Sequence, residues 1–99
     1  MNNGIVSGKI TKISVIKLNN TNPAAYKTRI CVASPKTDKE GTDYIDVESK
    51  VSTDKLYTNF QNGDFVEVKY TVWPYIITRN GEKMKIQTLV ITDIKKGNE

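Results

Sequence analysis

The sequence predicts an all-β fold in which five short strands form a small barrel, a short helix joins the third strand to the fourth, and the last two strands form a long hairpin. Three observations predict it. Apolar and polar residues alternate over short segments, as in half-buried strands. Polar turns separate these segments, and Asn80-Gly81 is a strong hairpin signal because both residues tolerate positive φ. The length of 99 residues suits one domain, which we place at residues 1–96, with residues 97–99 as a short loose end.

The first three predicted strands occupy the N-terminal half of the chain. The first spans residues 5–18, which are rich in Ile, Val, Ser and Thr, and Gly8 within it indicates a bulge or a sharp bend. After a polar loop, the second strand spans residues 26–34 and the third spans residues 43–48. In the second and third strands every second residue suits a core, so each strand presents one face to the interior and one to solvent.

The predicted helix lies between the third and fourth strands. A serine, threonine or aspartate at positions 52–54 can cap its start, Leu56 and Phe60 share one face, and Gly63 ends it. The fourth strand spans residues 64–78 and the fifth spans residues 83–94. A helix between strands three and four is the connectivity of the five-stranded OB-fold barrel. An SH3-like barrel also has five short strands, but it does not predict a helix at this place.

The composition argues against catalysis. The chain has one cysteine and no histidine, which removes the usual general base, the Ser-His and Cys-His nucleophile pairs and any zinc site. Cys31 lies in an apolar strand and is interpreted as a small buried or half-buried residue. We therefore predict a binding protein without metal or cofactor. No apolar segment is long enough to span a membrane and the first residues do not resemble a signal peptide, so a cytoplasmic location is expected.

Charge is unevenly distributed along the chain. Residues 1–36 carry a net charge of +6, residues 37–67 carry −5 and residues 68–99 carry +3. If the basic flanking strands lie side by side, they form a positive surface suited to a phosphate backbone. A generic lysine-rich surface would give the same distribution, so charge alone does not decide between the two interpretations.

Aromatic residues on polar faces are the main functional signal. Strand parity puts Trp73 and Tyr75 on the same face as Lys69, opposite the valines that line the barrel. Exposed rings can stack on unpaired bases, each stack contributing about 1–3 kcal/mol. The alternative is that these rings cap a barrel end or pack in an oligomer interface. Tyr44 is a third candidate, although it shares its face with acids, whereas Tyr26 and Tyr57 remain open between core and site.

Basic residues accompany these rings on two parts of the predicted barrel. Lys27 and Arg29 lie on the outward face of the second strand, and further cations cluster around the long hairpin. The predicted nucleic-acid-binding residues are Trp73, Tyr75, Tyr44, Lys27, Arg29, Lys69, Arg79, Lys83 and Lys85.

Three segments resemble the SSB-type OB-fold family of bacterial and phage single-stranded DNA-binding proteins. They are residues 4–10 (GIVSGKI), 43–47 (DYIDV) and 56–68 (LYTNFQNGDFVEV). The hairpin from Trp73 to Val90 resembles the long arm of that family. The resemblance implies sequence-independent binding of single-stranded DNA, with Tyr44 at a base-stacking position.

The chain also departs from the family pattern. The family's arm tryptophan falls near Ile76, so Trp73 and Tyr75 are offset, and a second aromatic of strand three falls near Lys50. The sequence shows no counterpart of the family's long disordered tail with its acidic tip, so we expect a short version that resembles those of phages, plasmids and other mobile elements. The resemblance implies a homo-oligomer and a role in DNA replication or recombination. Two alternatives stay open: an OB-fold adaptor that holds a polymerase, primase or helicase in a replication or mobilisation complex, and an RNA-binding domain.

Overall fold

The computed structural model describes residues 2–19, 21–36 and 40–97. These residues form a barrel of five strands: β1 (Asn3–Leu18), β2 (Ala25–Pro35), β3 (Thr42–Glu48), β4 (Phe65–Arg79) and β5 (Glu82–Lys96). The strands close in the order β1-β2-β3-β5-β4, and all neighbours are antiparallel except β3 and β5, which meet at Glu48 and Val90. The predicted all-β, five-stranded OB-fold barrel is confirmed.

β1 closes the barrel because it is long enough to serve two partners. Its first half, up to Lys9, pairs with β4, and its second half pairs with β2. A bulge between Ile10 and Lys12 follows this change of partner. Gly8 lies just before it, where a Cβ atom would collide with the carbonyl oxygen of Ala33. The glycine therefore permits a close approach of two backbones, and the predicted bulge lies three residues further on.

The core follows from the alternation in the strands. Inward residues of β2 and β4 such as Ile30, Val32, Val66 and Val68 are fully buried, and Phe60 from the β3–β4 connection covers them. The β5 strand continues to Lys96, and the Gly97 N–H donates to the carbonyl of Phe65. Residues 98 and 99 of the predicted loose end lie outside the described residues.

The predicted helix between β3 and β4 is wrong. Residues 56–59 form a turn, and Tyr57 has a φ of 62°, which a right-handed helix cannot contain. The Phe60 N–H donates to the carbonyl of Tyr57, and the Leu56 carbonyl accepts from the hydroxyl of Thr28 instead of from residue 60. A tertiary hydrogen bond thus replaces the helical one. Among the described residues no helix has the length and apolarity needed to cross a membrane.

The β4–β5 hairpin extends beyond the barrel as a two-stranded arm, residues 73–88. β1 pairs with β4 no further than Thr71, and β3 meets β5 at Val90, so the arm residues pair only with each other in the described structure. Asn80 and Gly81 both have positive φ, 52° and 79°, as a two-residue turn of this type requires. The hairpin predicted from Asn80-Gly81 is confirmed.

Candidate nucleic-acid interface

The arm has two chemically different faces, because residues opposite each other in an antiparallel pair share a face. Trp73 lies opposite Thr88, and Tyr75 lies opposite Ile86. We call this side the aromatic face, and it also carries Ile77 and Met84. The other side, the lysine face, carries Pro74, Ile76, Thr78, Lys83, Lys85 and Gln87.

The predicted cations of the arm do not all accompany the rings. Arg79 lies opposite Glu82 near the tip, on the aromatic face. Lys83 and Lys85 lie on the lysine face, opposite Thr78 and Ile76. Closeness in sequence suggested one cluster, but alternation along β5 separates these two lysines from Trp73 and Tyr75.

The aromatic face borders a cleft of about 170 Å³, the aromatic cleft. The arm contributes Trp73 and Tyr75, which are 47% and 46% exposed. The opposite wall comes from the ends of β2 and β3 and from the segment after β3. Its residues are Lys27, Glu48, Ser49, Lys50 and Val51. The structure therefore brings together two of the predicted rings and one predicted cation.

A second cavity of about 640 Å³ lies on the other side of Trp73, toward Thr71 and the start of β1; we call it the strand-one cavity. Lys69, a predicted site residue, lines this cavity together with Trp73. Trp73 and Lys50 line both cavities. The indole thus stands between two solvent-accessible spaces, with a basic residue at each.

Lys50 is a candidate site residue that strand parity did not predict. Its ammonium nitrogen lies 6.0 Å from the centroid of the Trp73 ring, at the outer limit of a cation–π contact. The segment after β3 carries no alternation that would place it beside the arm. The family resemblance offered one signal, because it puts an aromatic residue near this position.

Lys27 and Arg29 share one carboxylate partner on the neighbouring strand. Arg29 donates from Nε and Nη2 to Oε1 of Glu48, at 3.0 and 2.7 Å, and Lys27 Nζ lies 2.7 Å from Oε2. Burial raises the pKa of Glu48, but the hydrogen bonds and positive charges of Lys27 and Arg29 outweigh burial and hold this pKa below its ordinary value. The two predicted phosphate ligands are therefore partly neutralised in the free protein.

Tyr44 is the most exposed of the predicted rings, at 69%. It lies opposite Ala33, four residues from Glu48 on the same outward face of β3, or about 13 Å along the strand. A cavity of about 320 Å³, which we call the outer cavity, lies beside Asp46, the residue midway between Tyr44 and Glu48 on β3. Its other lining residues are Thr11, Lys12, Ser14, Arg29 and Cys31. Tyr44 is thus apart from Trp73 but on a continuous outer face with Lys27 and Arg29.

The two tyrosines that the sequence left open have structural contacts. Tyr57 is half-buried against the core and packs edge-on against Phe60, with ring centroids 6.5 Å apart. Burial, with the charge of Asp93, raises the pKa of Tyr57. Tyr26 is half-buried, exchanges backbone hydrogen bonds with Ser52, and has Lys55 Nζ 5.2 Å from its ring centroid. Neither tyrosine lines the aromatic cleft or the strand-one cavity.

In the part of the chain that the structure describes, no group of three or more His, Cys, Asp or Glu side chains could hold a metal ion. The polar side chains of the interface are mainly lysines, an arginine and hydroxyls, which are donors suited to phosphate oxygens. The arrangement can therefore bind an anionic, ring-bearing ligand by charge and stacking.

Known structures share this fold. No family model matches the chain, and no curated protein sequence matches it. The mitochondrial single-stranded DNA-binding protein Rim1 of S. cerevisiae is 16% identical with a TM-score of 0.63, over 96% of this chain and 93% of that one. The small single-stranded DNA-binding protein of Streptomyces coelicolor is 20% identical with a TM-score of 0.55, over 98% and 96%.

The Plasmodium falciparum SSB, solved in complex with single-stranded DNA, is 14% identical with a TM-score of 0.62, over 99% of this chain and 96% of that one. At these identities the likeness is one of fold. The resemblance predicted from the sequence is confirmed at that level: this chain has the OB fold of single-stranded DNA-binding proteins.

Proposed function

We propose that this protein binds single-stranded DNA independently of sequence, by stacking bases on exposed rings and neutralising phosphates with lysine and arginine side chains. One observation carries the proposal. The half-exposed indole of Trp73 stands between two cavities, with Lys50 beside its ring. Stacking rings in a positive groove are what unpaired strands require. The solved structures of the same fold support the proposal, because two are single-stranded DNA-binding proteins and the third is an SSB in complex with single-stranded DNA.

The cavities suggest a path for the strand. It begins at Lys69 in the strand-one cavity, passes Trp73 into the aromatic cleft at Tyr75 and Lys27, and continues over Arg29 toward Tyr44. The bases stack on the three rings, while the cations contact the backbone. Three cations of the arm contribute only long-range attraction, because Lys83 and Lys85 lie on the lysine face and Arg79 lies near the tip opposite Glu82.

A fluorescence titration tests the proposal. Trp73 is the single tryptophan, so oligo(dT) should quench the whole tryptophan signal. The logarithm of the binding constant should fall linearly with the logarithm of salt concentration, by about 0.7 per phosphate neutralised. Absence of both quenching and a gel mobility shift at low salt would overturn the proposal. Competition between poly(dT) and poly(U) separates DNA binding from RNA binding.

We also propose a cellular location, an oligomeric state and a pathway for this binding activity. The protein acts without catalysis in the cytoplasm, as a homo-oligomer, in DNA replication or recombination of a phage, plasmid or other mobile element. Light scattering of the purified chain measures its oligomeric state. Co-purification with a polymerase, primase or helicase in the absence of DNA affinity would favour the adaptor alternative instead.

A further inference from the structure

Glu48 is a nearly buried acid in the middle of the proposed DNA path. Its side chain is 10% exposed, whereas those of Lys27 and Arg29 are 31% and 47% exposed. Each carboxylate oxygen contacts a different cation, Oε1 contacting Arg29 and Oε2 contacting Lys27. The carboxylate is therefore covered by two cations whose outer surfaces face solvent.

Lys27 and Arg29 line different cavities. Lys27 lines the aromatic cleft with Trp73 and Tyr75, and Arg29 lines the outer cavity with Lys12. Glu48 lines the aromatic cleft and forms an ion pair with the cation that faces each space. A phosphate that enters either space meets a cation that already has an anionic partner.

We propose that Glu48 is an internal competitor of DNA phosphates, which holds Lys27 and Arg29 in the free protein and sets the affinity of the interface below what its cations alone would give. The inference rests on the proposed function. The lysine ammonium has three donors and the arginine guanidinium has five, so each can turn donors toward a phosphate. The phosphate must nevertheless approach a carboxylate of like charge, and Lys27, which faces the rings, exchanges its partner first.

Neutralising the carboxylate should strengthen binding. In Glu48→Gln the two cations carry the full charge of +2 toward the strand, instead of a net +1. Two unit charges about 4 Å apart in water interact by an amount that corresponds to roughly a fivefold change in an equilibrium constant. We therefore expect oligo(dT) to bind Glu48→Gln about fivefold more tightly at low salt. The salt dependence should become steeper by about 0.7, which corresponds to one additional phosphate.

Glu67→Gln is the matched control. Glu67 is an ion-paired acid on the outer side of β4, with its Oε1 3.6 Å from Lys95 Nζ, and it lines neither the aromatic cleft nor the strand-one cavity. Its substitution removes the same formal charge and one ion pair. An equal gain in affinity in both variants would mean that only net charge matters, and would overturn the inference.

The outcomes separate this inference from the proposed function. If the wild type does not bind oligo(dT), the proposed function fails. If the wild type binds and Glu48→Gln binds equally or more weakly, with an unchanged salt slope, Glu48 has only a structural role and the inference fails. Circular dichroism checks that each variant is folded. If Glu48→Gln does not fold, Glu48→Asp keeps the charge but withdraws the carboxylate by one methylene, and it should bind more tightly than wild type; no gain overturns the inference.

Discussion

Trp73 is the side chain on which the DNA-binding proposal depends most directly. We expect Trp73→Ala to weaken oligo(dT) binding by about 1–3 kcal/mol, because one stacking ring is lost. Because the indole is also half-buried, a thermal melt should confirm that the variant is folded at the temperature of the binding measurement. Fluorescence anisotropy of labelled oligo(dT) measures the loss without the tryptophan signal. Ile76→Ala is the control: Ile76 is 68% exposed on the lysine face of the same arm, and its loss should leave affinity unchanged. Equal losses in both variants would argue against stacking.

Glu48 should also make the free energy of unfolding depend on pH. Its pKa is lower in the folded protein than its ordinary value of 4.5, so its ion pairs stabilise the fold fully above that value. This contribution is lost as the pH falls through the lowered folded-state pKa. Urea unfolding of wild type and Glu48→Gln should show wild type more stable at pH 7, with the difference shrinking below about pH 4.5. A difference that is constant from pH 7 to pH 3 would contradict the assignment.

For single residues, alternation along a strand was sufficient to predict which face of the barrel a side chain occupies. Alternation placed Trp73 and Tyr75 outside the barrel and placed Lys27 and Arg29 on the outer face of β2, and the structure has them there. It could not reveal that Glu48 pairs with both cations, because that depends on the register that puts Arg29 opposite Glu48. Lys50 was missed for a similar reason: its contact with Trp73 joins two segments without a shared periodicity.

At the scale of elements, the connection from β3 to β4 shows how a tertiary contact can override local signals. Capping residues, two apolar residues four apart and a terminal glycine all favoured a helix. The buried Thr28 hydroxyl instead donates to the Leu56 carbonyl at 2.7 Å, and Tyr57 takes a left-handed conformation. This contact fixes the segment against β2. Sequence periodicity alone contains no information about such a partner.

The same contact gives a stability prediction. Thr28→Val keeps the shape of a fully buried side chain but removes the donor to the Leu56 carbonyl. We expect it to lower the free energy of unfolding by about 1–3 kcal/mol, because a partly buried carbonyl loses its partner. Thr11→Val is the control, since the Thr11 hydroxyl donates to the Cys31 carbonyl at an exposed site and its loss should cost much less. Urea denaturation of both variants measures the difference; a Thr28→Val variant as stable as Thr11→Val would show that the contact contributes little.

The arm illustrates a different limit. Asn80-Gly81 predicted the turn, and the turn fixes the register from Arg79–Glu82 back to Trp73–Thr88. The grouping of Lys83 and Lys85 with the rings came from closeness along the chain and ignored the alternation of faces. Pairing opposite residues outward from the turn separates the two faces of the arm, and this step requires only the amino-acid sequence.

At the scale of the whole molecule, the barrel was predictable because residues of β2, β3 and β4 alternate between apolar and polar and because polar turns separate the strands. The closure of the barrel was harder to predict, because the parallel contact of Glu48 and Val90 joins residues 42 positions apart in sequence. Closure also changes the meaning of the charge distribution. The acidic β3 lies between β2 and β5, so its acids sit beside the basic strands instead of forming a separate negative surface.

Under the proposed function, the position of Trp73 between the aromatic cleft and the strand-one cavity has a consequence for the shortest DNA strand that can contact both sides of the ring. One space lies toward Thr71 and the other toward Tyr75, so successive nucleobases can occupy opposite sides of the indole, as if it were inserted into a dinucleotide step. A mononucleotide can use only one side at a time. Tryptophan quenching measures the affinity for thymidine oligonucleotides of increasing length. The second nucleotide should raise the affinity more than a later nucleotide that contacts no additional ring.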